Sequence, residues 1–152
     1  MDSNIADICR SIFELSWMFG NHGFNGECCG DLSLAEFMAL KKIQENRDIS
    51  VQEIGNAINF TKSGASKIID RLVNKGYAVR MNSPVDGRVC CVSTTEKGKE
   101  TVARVIENYT MYLNNVLKGK DAQSVSRIKE TLKSLIDALQ KSRPINYFNP
   151  DE

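Results

Sequence analysis

Residues 59–88 read Asn59-Phe-Thr-Lys-Ser-Gly-Ala-Ser-Lys-Ile-Ile-Asp-Arg-Leu-Val-Asn-Lys-Gly-Tyr-Ala-Val-Arg-Met-Asn-Ser-Pro-Val-Asp-Gly-Arg88. This stretch begins polar and basic, continues with apolar residues at helical spacing, and reaches a Lys-Gly stop. A β-prone run and a turn ending in Arg88 follow. The order predicts a helix that enters a DNA groove beside a hairpin wing that touches the backbone or the minor groove.

Two capping boxes predict helices on the N-terminal side of this stretch. One is Ser33-Leu-Ala-Glu36, and the other is Ser50-Val-Gln-Glu53, which starts a short helix. The short helix and a helix over about residues 61–74 form a helix-turn-helix. In the helix that starts at Ser33, the residues that we expect to face a core are Leu34, Phe37, Met38 and Leu40.

The segments after residue 76 predict a wing and two long helices. Residues 77–81 and 89–92 are β-prone and flank turn-forming residues, which indicates a hairpin. Thr95 caps a long helix and Asp121 caps a last one. A non-helical tail starts at Arg143.

The outer helices carry apolar stripes that a compact winged helix does not need. We expect them to pair with each other and with a second copy in a two-fold homodimer; the alternative is one extended core within a single chain. The fold class is therefore mainly α with a small β-hairpin wing. Residues 31–95 form the winged helix-turn-helix domain, residues 1–30 an N-terminal dimerisation helix and loop, and residues 96–152 the C-terminal dimerisation helices and tail.

The charge distribution favours double-stranded DNA as the partner. The net charge of the 152 residues is only +1, but residues 61–88 carry +4 and residues 1–60 carry −5. Positive charge is concentrated where phosphates would be neutralised. The sequence has no apolar run of membrane-spanning length and no basic-then-apolar N-terminus, so we expect a cytoplasmic protein with no membrane partner.

From about residue 34 to residue 98 the chain resembles the MarR family of bacterial and archaeal winged-helix regulators, whose motifs occur in the same order. Residues 50–57 resemble the first helix of the family's motif, and residues 61–77 its recognition helix. Asp86-Gly-Arg88 resembles the Asp-x-Arg of the wing, with Gly87 where the family usually has Arg. Thr95-Glu-Lys-Gly98 resembles the Thr-x-x-Gly helix start. The resemblance implies a homodimeric transcriptional regulator, a repressor, that binds a pseudo-palindromic operator.

The start of the recognition helix carries candidate DNA contacts. Thr61, Ser63 and Ser66 combine short hydroxyls with free backbone N–H groups, which suit phosphates. Lys62 and Lys67 suit base edges or phosphates.

Further DNA-binding candidates have more than one interpretation. Gly64 allows either close approach to DNA or packing against a neighbouring helix. Arg71 either contacts a phosphate or forms a structural ion pair. We expect Arg88 to enter the minor groove and Asp86 to orient an arginine.

The chain has five cysteines, Cys9, Cys28, Cys29, Cys90 and Cys91, and in a cytoplasmic protein they start as thiols. Of these, Cys9, Cys28 and Cys29 are the candidate sensors. The resemblance implies that DNA affinity responds to a small ligand, a metal or thiol oxidation. Cys28 and Cys29, with His22 nearby, suit a soft ion, zinc or oxidation, and Cys9 resembles the reactive cysteine of the organic-hydroperoxide-sensing branch. Any of the five also fits a plain core, as a small apolar residue.

Two other functional classes remain as alternatives. A thiol-based redox enzyme needs an activated cysteine with a base and a resolving partner, but the chain has a single His and no Cys-x-x-Cys motif. We therefore expect no enzymatic activity and no required cofactor. The other alternative is a winged helix used only for protein contacts. Loss of DNA binding when Lys62 and Arg88 are replaced by alanine would count against it.

Overall fold

The computed structural model describes residues 3–20, 30–85 and 87–142, and the predicted tail lies outside these ranges. The helices are α1 (Ser3–Gly20), α2 (Leu34–Glu45), α3 (Val51–Ile58), α4 (Lys62–Asn74), α5 (Glu96–Val116) and α6 (Ala122–Lys141). The strands are β1 (Ile49–Ser50), β2 (Ala78–Asn82) and β3 (Val89–Thr94). The chain divides into two compact units, Met1–Thr110 and Met111–Glu152. Among the helices in the described ranges, none is long and apolar enough to cross a membrane.

The predicted helix starts are confirmed by side-chain caps. Ser33 and Glu36 form a reciprocal capping box at α2, and Ser50 and Glu53 form a second one at α3. Asp121 caps α6. These short polar side chains satisfy N–H groups that have no partner within the helix.

The helix-turn-helix is confirmed as α3 and α4, joined by residues 59–61. Asn59 ends α3 in the left-handed conformation, with φ of 60°, and the N–H of Phe60 donates to the carbonyl of Gly55 at 2.9 Å. A Cβ on Gly55 would lie 3.3 Å from the Cβ of Ala65 and 3.0 Å from the carbonyl oxygen of Phe60. Glycine at position 55 therefore lets the two helices approach closely.

The core lies among α2, α3, α4 and the sheet. The largest fully buried side chains are Leu40, Ile43, Ile54, Ile69, Leu72 and Val92. Leu34 and Met38, which we expected in the core, are instead 40% and 44% exposed. Helix α2 turns the face of Glu36, Phe37 and Leu40 inward, since residues three or four apart share one side of a helix.

The hairpin wing is confirmed, and a short strand joins it to give the order β1-β3-β2. The antiparallel partners of Val92 are Arg80 in β2 and Ile49 in β1. The register of β2 against β3 shifts between Met81 and Asn82, at the end of β2. Strand β1 has only two residues, too few for an alternating pattern in the sequence to reveal it.

The Thr-x-x-Gly motif starts α5 close to the beginning of the wing. Thr95 Oγ1 accepts a hydrogen bond from the N–H of Gly98 at 3.1 Å and donates to the carbonyl of Gly76 at 2.7 Å. A Cβ at position 98 would collide with the carbonyl oxygen of Tyr77 and would lie 3.3 Å from Leu40 Cδ1. Only glycine fits without a shift of the backbone.

We predict that Gly98→Ala lowers the free energy of unfolding by about 2 kcal/mol, because the backbone must move to admit the methyl group. Urea unfolding followed by circular dichroism measures this change. Glu100→Ala, at an exposed position of the same helix, is the control and should change the value by less than about 0.5 kcal/mol. Unchanged stability of the Gly98 variant would contradict the close contact.

Candidate nucleic-acid interface

Helix α4 has one apolar and one polar face. Its buried residues are Ala65, Ile68, Ile69 and Leu72. The residues that lie opposite them and are exposed are Ser63, Lys67, Asp70 and Asn74, which we call the recognition face. Since the apolar face is fixed in the core, the recognition face is turned to solvent along the whole helix.

The N-terminus of α4 is organised by its own cap. Thr61 Oγ1 accepts a hydrogen bond from the N–H of Gly64 at 3.0 Å. A Cβ on Gly64 would lie 3.2 Å from Thr61 Oγ1 and 3.3 Å from Phe60 Cδ1, so glycine leaves room for the cap. The close helix packing that we considered for Gly64 is found at Gly55 instead. Lys62 lies exposed beside this cap.

Arg80 extends from β2 to the polar side of α4. Its Nη2 atom lies 2.7 Å from Asp70 Oδ1 and 3.3 Å from Ser66 Oγ. These contacts place a cation next to the recognition face, a position that the sequence does not predict for Arg80. No sequence signal identifies this contact, because it depends on how the turn at Gly76 returns the strand to the helix.

Arg71 forms an ion pair with the scaffold helix α2. Its Nε lies 2.8 Å from Glu36 Oε1, and Lys75 Nζ lies 2.9 Å from Glu36 Oε2. We call these three residues the Glu36 cluster. Of the two interpretations of Arg71, the structure shows the ion pair, although 52% of the Arg71 side chain stays exposed.

Hydrogen bonds extend the Glu36 cluster around the C-terminal end of α4. Lys75 Nζ donates to the carbonyl of Asp31 at 2.6 Å, and the Tyr77 hydroxyl donates to the carboxylate of Asp31 at 2.5 Å. Lys97 Nζ donates to the carbonyl of Lys75 at 2.7 Å and lies 4.5 Å from the centre of the Tyr77 ring. The end of α4 is thereby tied to the residues before α2 and to the first turn of α5.

Opposing effects set the pKa of Glu36. Burial raises it, but hydrogen bonds from Lys75, from the backbone N–H of Ser33 and from Arg71 outweigh burial, so the pKa lies below the ordinary glutamate value. The pKa of Tyr77 is raised, mainly because its hydroxyl donates to Asp31. Glu36 is therefore an ionised carboxylate at neutral pH, held by two cations.

The wing carries Arg88 at an exposed position. The carbonyl of Arg88 accepts from the N–H of Ser83 at 2.6 Å, and the N–H of Gly87 donates to the carbonyl of Ser83 at 3.0 Å. Gly87 has φ of 70°, a conformation that favours glycine. Asp86, predicted to orient an arginine, lies outside the described residues.

The two cysteines whose side chains are described, Cys9 and Cys91, differ in oxidation state. Cys9 is an exposed free thiol on α1. Cys91 is 8% exposed and disulfide-bonded, and the side chain of its partner lies outside the described part of the chain. Cys91, which the sequence predicts to start as a thiol, is therefore in its oxidised state here. The side chains of Cys28, Cys29, Cys90 and His22 lie outside the description, and within it there is no cluster of three or more His, Cys, Asp or Glu arranged to hold a metal.

A helix-turn-helix whose second helix exposes a polar face beside a short antiparallel wing defines a winged helix-turn-helix protein. A sequence model described as the MarR family matches residues 32–90. Among its relatives is MhqR of Bacillus subtilis, an HTH-type transcriptional regulator, 26% identical over 67% of this chain and 70% of MhqR. Another is the transcriptional repressor MprA of Escherichia coli, 29% identical over 69% of this chain and 62% of MprA.

The fold has close structural counterparts. The crystal structure of Streptococcus pneumoniae FabT in complex with DNA covers 91% of this chain and 96% of FabT, with a TM-score of 0.72 at 20% identity. At that identity the likeness concerns the fold. Over residues 32–90 the chain is similar to the MarR family of winged-helix regulators.

Proposed function

We propose that this chain is a cytoplasmic transcriptional repressor that binds a pseudo-palindromic DNA operator as a homodimer. The observation that carries the proposal is the recognition face of α4, exposed along its length and preceded by Lys62. FabT, which shares the fold, was solved with DNA, and MprA is a repressor. Residues 31–95 would act as the DNA-binding part and the flanking helices as the dimerisation part.

The arrangement suits a helix in the major groove. Ser63 and Lys67 are exposed near the helix start, where side chains reach base edges. Arg80 lies beside Ser66, so that a phosphate at the groove edge would meet its guanidinium. Arg88, exposed on the wing, would contact the adjacent minor groove, whose negative potential attracts arginine.

The dimer proposal is supported by apolar side chains that the single chain leaves exposed. On α1 they are Ile5, Ile8, Phe13, Leu15, Trp17 and Met18, and on α6 they are Val125, Ile128, Leu132, Ile136 and Leu139. Helix α6 buries none of its residues within the described chain. The exposed apolar residues of α6 share one face of the helix. An apolar face of this kind marks an interaction site, and a two-fold copy of the same chain supplies a matching one.

We propose that thiol oxidation regulates the affinity of the protein for DNA. Cys91 is disulfide-bonded, and disulfides in a reducing cytoplasm are usually transient redox devices. In this step two thiols would lose two protons and two electrons to a peroxide, which is reduced to water and an alcohol as the S–S bond forms. Because β3 belongs to the wing, making or breaking that bond can favour one of two dimer conformations.

Removing Lys62 and Arg88 together should weaken DNA binding and make it less sensitive to salt. Each lost phosphate contact lowers the slope of log affinity against log salt by about 0.9. Gel shifts with the DNA upstream of the protein's own gene, over a range of salt, measure both effects. Lys129→Ala with Lys133→Ala, which removes the same charge from exposed positions of α6, is the control.

If the parent protein binds no DNA even in low salt, the proposed function is wrong. If the Lys62 and Arg88 variant binds like the control, a winged helix that contacts proteins becomes the better explanation.

For the dimer, sedimentation velocity should give twice the mass of one chain. Ile128→Glu with Leu132→Glu places two charges in the apolar stripe of α6 and should yield a monomer with unchanged helix content. Lys129→Glu, on the same helix but outside the stripe, should remain dimeric. A monomeric parent, or a dimer that tolerates both stripe substitutions, would reject the proposed interface.

For the redox input, the affinity of the parent for DNA should differ several-fold between dithiothreitol and cumene hydroperoxide. Cys91→Ser should show the same affinity in both. Cys9→Ser is the matched control and should keep the difference, while Cys28→Ser, Cys29→Ser and Cys90→Ser identify the bonded partner. Equal affinities of the parent in both conditions would exclude this input, and a change caused only by zinc would indicate a metal effector.

A further inference from the structure

We infer that Glu36 is a positioning residue that fixes the rotation of the recognition helix, so that DNA selectivity depends on a carboxylate that does not touch DNA. The inference rests on the proposed DNA-binding function. It concerns a residue of helix α2 for which the sequence predicts only the capping box with Ser33.

The burial of Glu36 shows that its carboxylate does more than cap a helix. Its side chain is 4% exposed, whereas the matching carboxylate of the second capping box, Glu53, lies at an exposed position. A buried ion pair is often no more stabilising than apolar side chains of the same volume. What the pairing adds over an apolar contact is direction, because charged hydrogen bonds require particular distances and angles.

The geometry of the cluster constrains rotation in particular. Arg71 and Lys75 are one turn apart on the same side of α4, and each binds a different oxygen of the one carboxylate. Helix α4 is therefore held at two points along its axis. A helical side chain ends about 6 Å from the axis, so a rotation of about 10° would move the recognition face by about 1 Å. That displacement is enough to break hydrogen bonds to base edges.

Glu36 also offsets charge at the interface. The Arg71 side chain is 52% exposed, so loss of the carboxylate would leave an unpaired cation on α4 near the DNA. Such a cation strengthens contacts with any phosphate, whatever the sequence. Neutralising Glu36 should thus weaken binding to the operator and leave binding to unrelated DNA unchanged or stronger.

Glu36→Gln isolates the ion pair from the cap, since glutamine also accepts the hydrogen bond of a capping box. Glu45→Gln is the matched control. Glu45 lies on the same helix and also pairs with two cations, Lys41 and Lys42, but its side chain is 44% exposed and its partners belong to α2 itself. Both variants change the net charge equally.

The measurement is fluorescence anisotropy with two duplexes at a temperature where circular dichroism shows each variant folded. One duplex is the sequence that the parent protein selects from a randomised library, and the other has the same bases in scrambled order. For Glu36→Gln the ratio of the two affinities should fall about tenfold, the effect of one misplaced base contact. For Glu45→Gln the ratio should stay within about twofold of the parent.

Each other outcome counts against the inference. An unchanged ratio for Glu36→Gln would show that α4 keeps its orientation without the carboxylate. A fall of both affinities by the same factor would show that Glu36 serves only stability. A parent protein that selects no sequence and binds neither duplex would instead reject the proposed function itself.

Discussion

The close burial of one face of α4 against α2 and α3 is the constraint on which the rest of this structure depends. Glycine at position 55 lets Ala65 approach the preceding helix, and Ile69 and Leu72 complete a core that solvent does not reach. Because a helix cannot turn its other side inward at the same time, Ser63 and Lys67 must face outward. The interface is thus a direct consequence of packing.

Packing alone leaves the rotation of α4 loosely defined, since apolar contacts have little directional preference. The polar groups around its C-terminal end supply direction. Glu36 holds the helix to α2, and Lys97 holds the carbonyl of Lys75 to the start of α5. Gly98 then allows α5 to begin against the first residue of the wing. Three elements therefore meet in one small region. They are α4, which we propose reads DNA, the wing, and the start of α5, which we propose takes part in dimerisation.

Much of the fold could be predicted from local sequence, because caps and turns act between residues three or four apart. Ser33 and Asp121 each started a helix where expected. The predictions that were wrong depend on packing between residues that are distant in the sequence. Met38 fits an apolar stripe but is exposed, because α2 turns the face of Glu36, Phe37 and Leu40 toward the core.

By itself the sequence determined the order of the helices, the hairpin, the helix-turn-helix and the polar start of α4. Each of these depends on hydrogen bonds and periodicities that span only a few residues. Only the tertiary structure decided that Arg71 is paired with a residue 35 positions away, that Arg80 lies against Asp70, and that Glu36 is buried. Those facts depend on where the chain returns in space, and contact between distant residues leaves no mark in a single sequence.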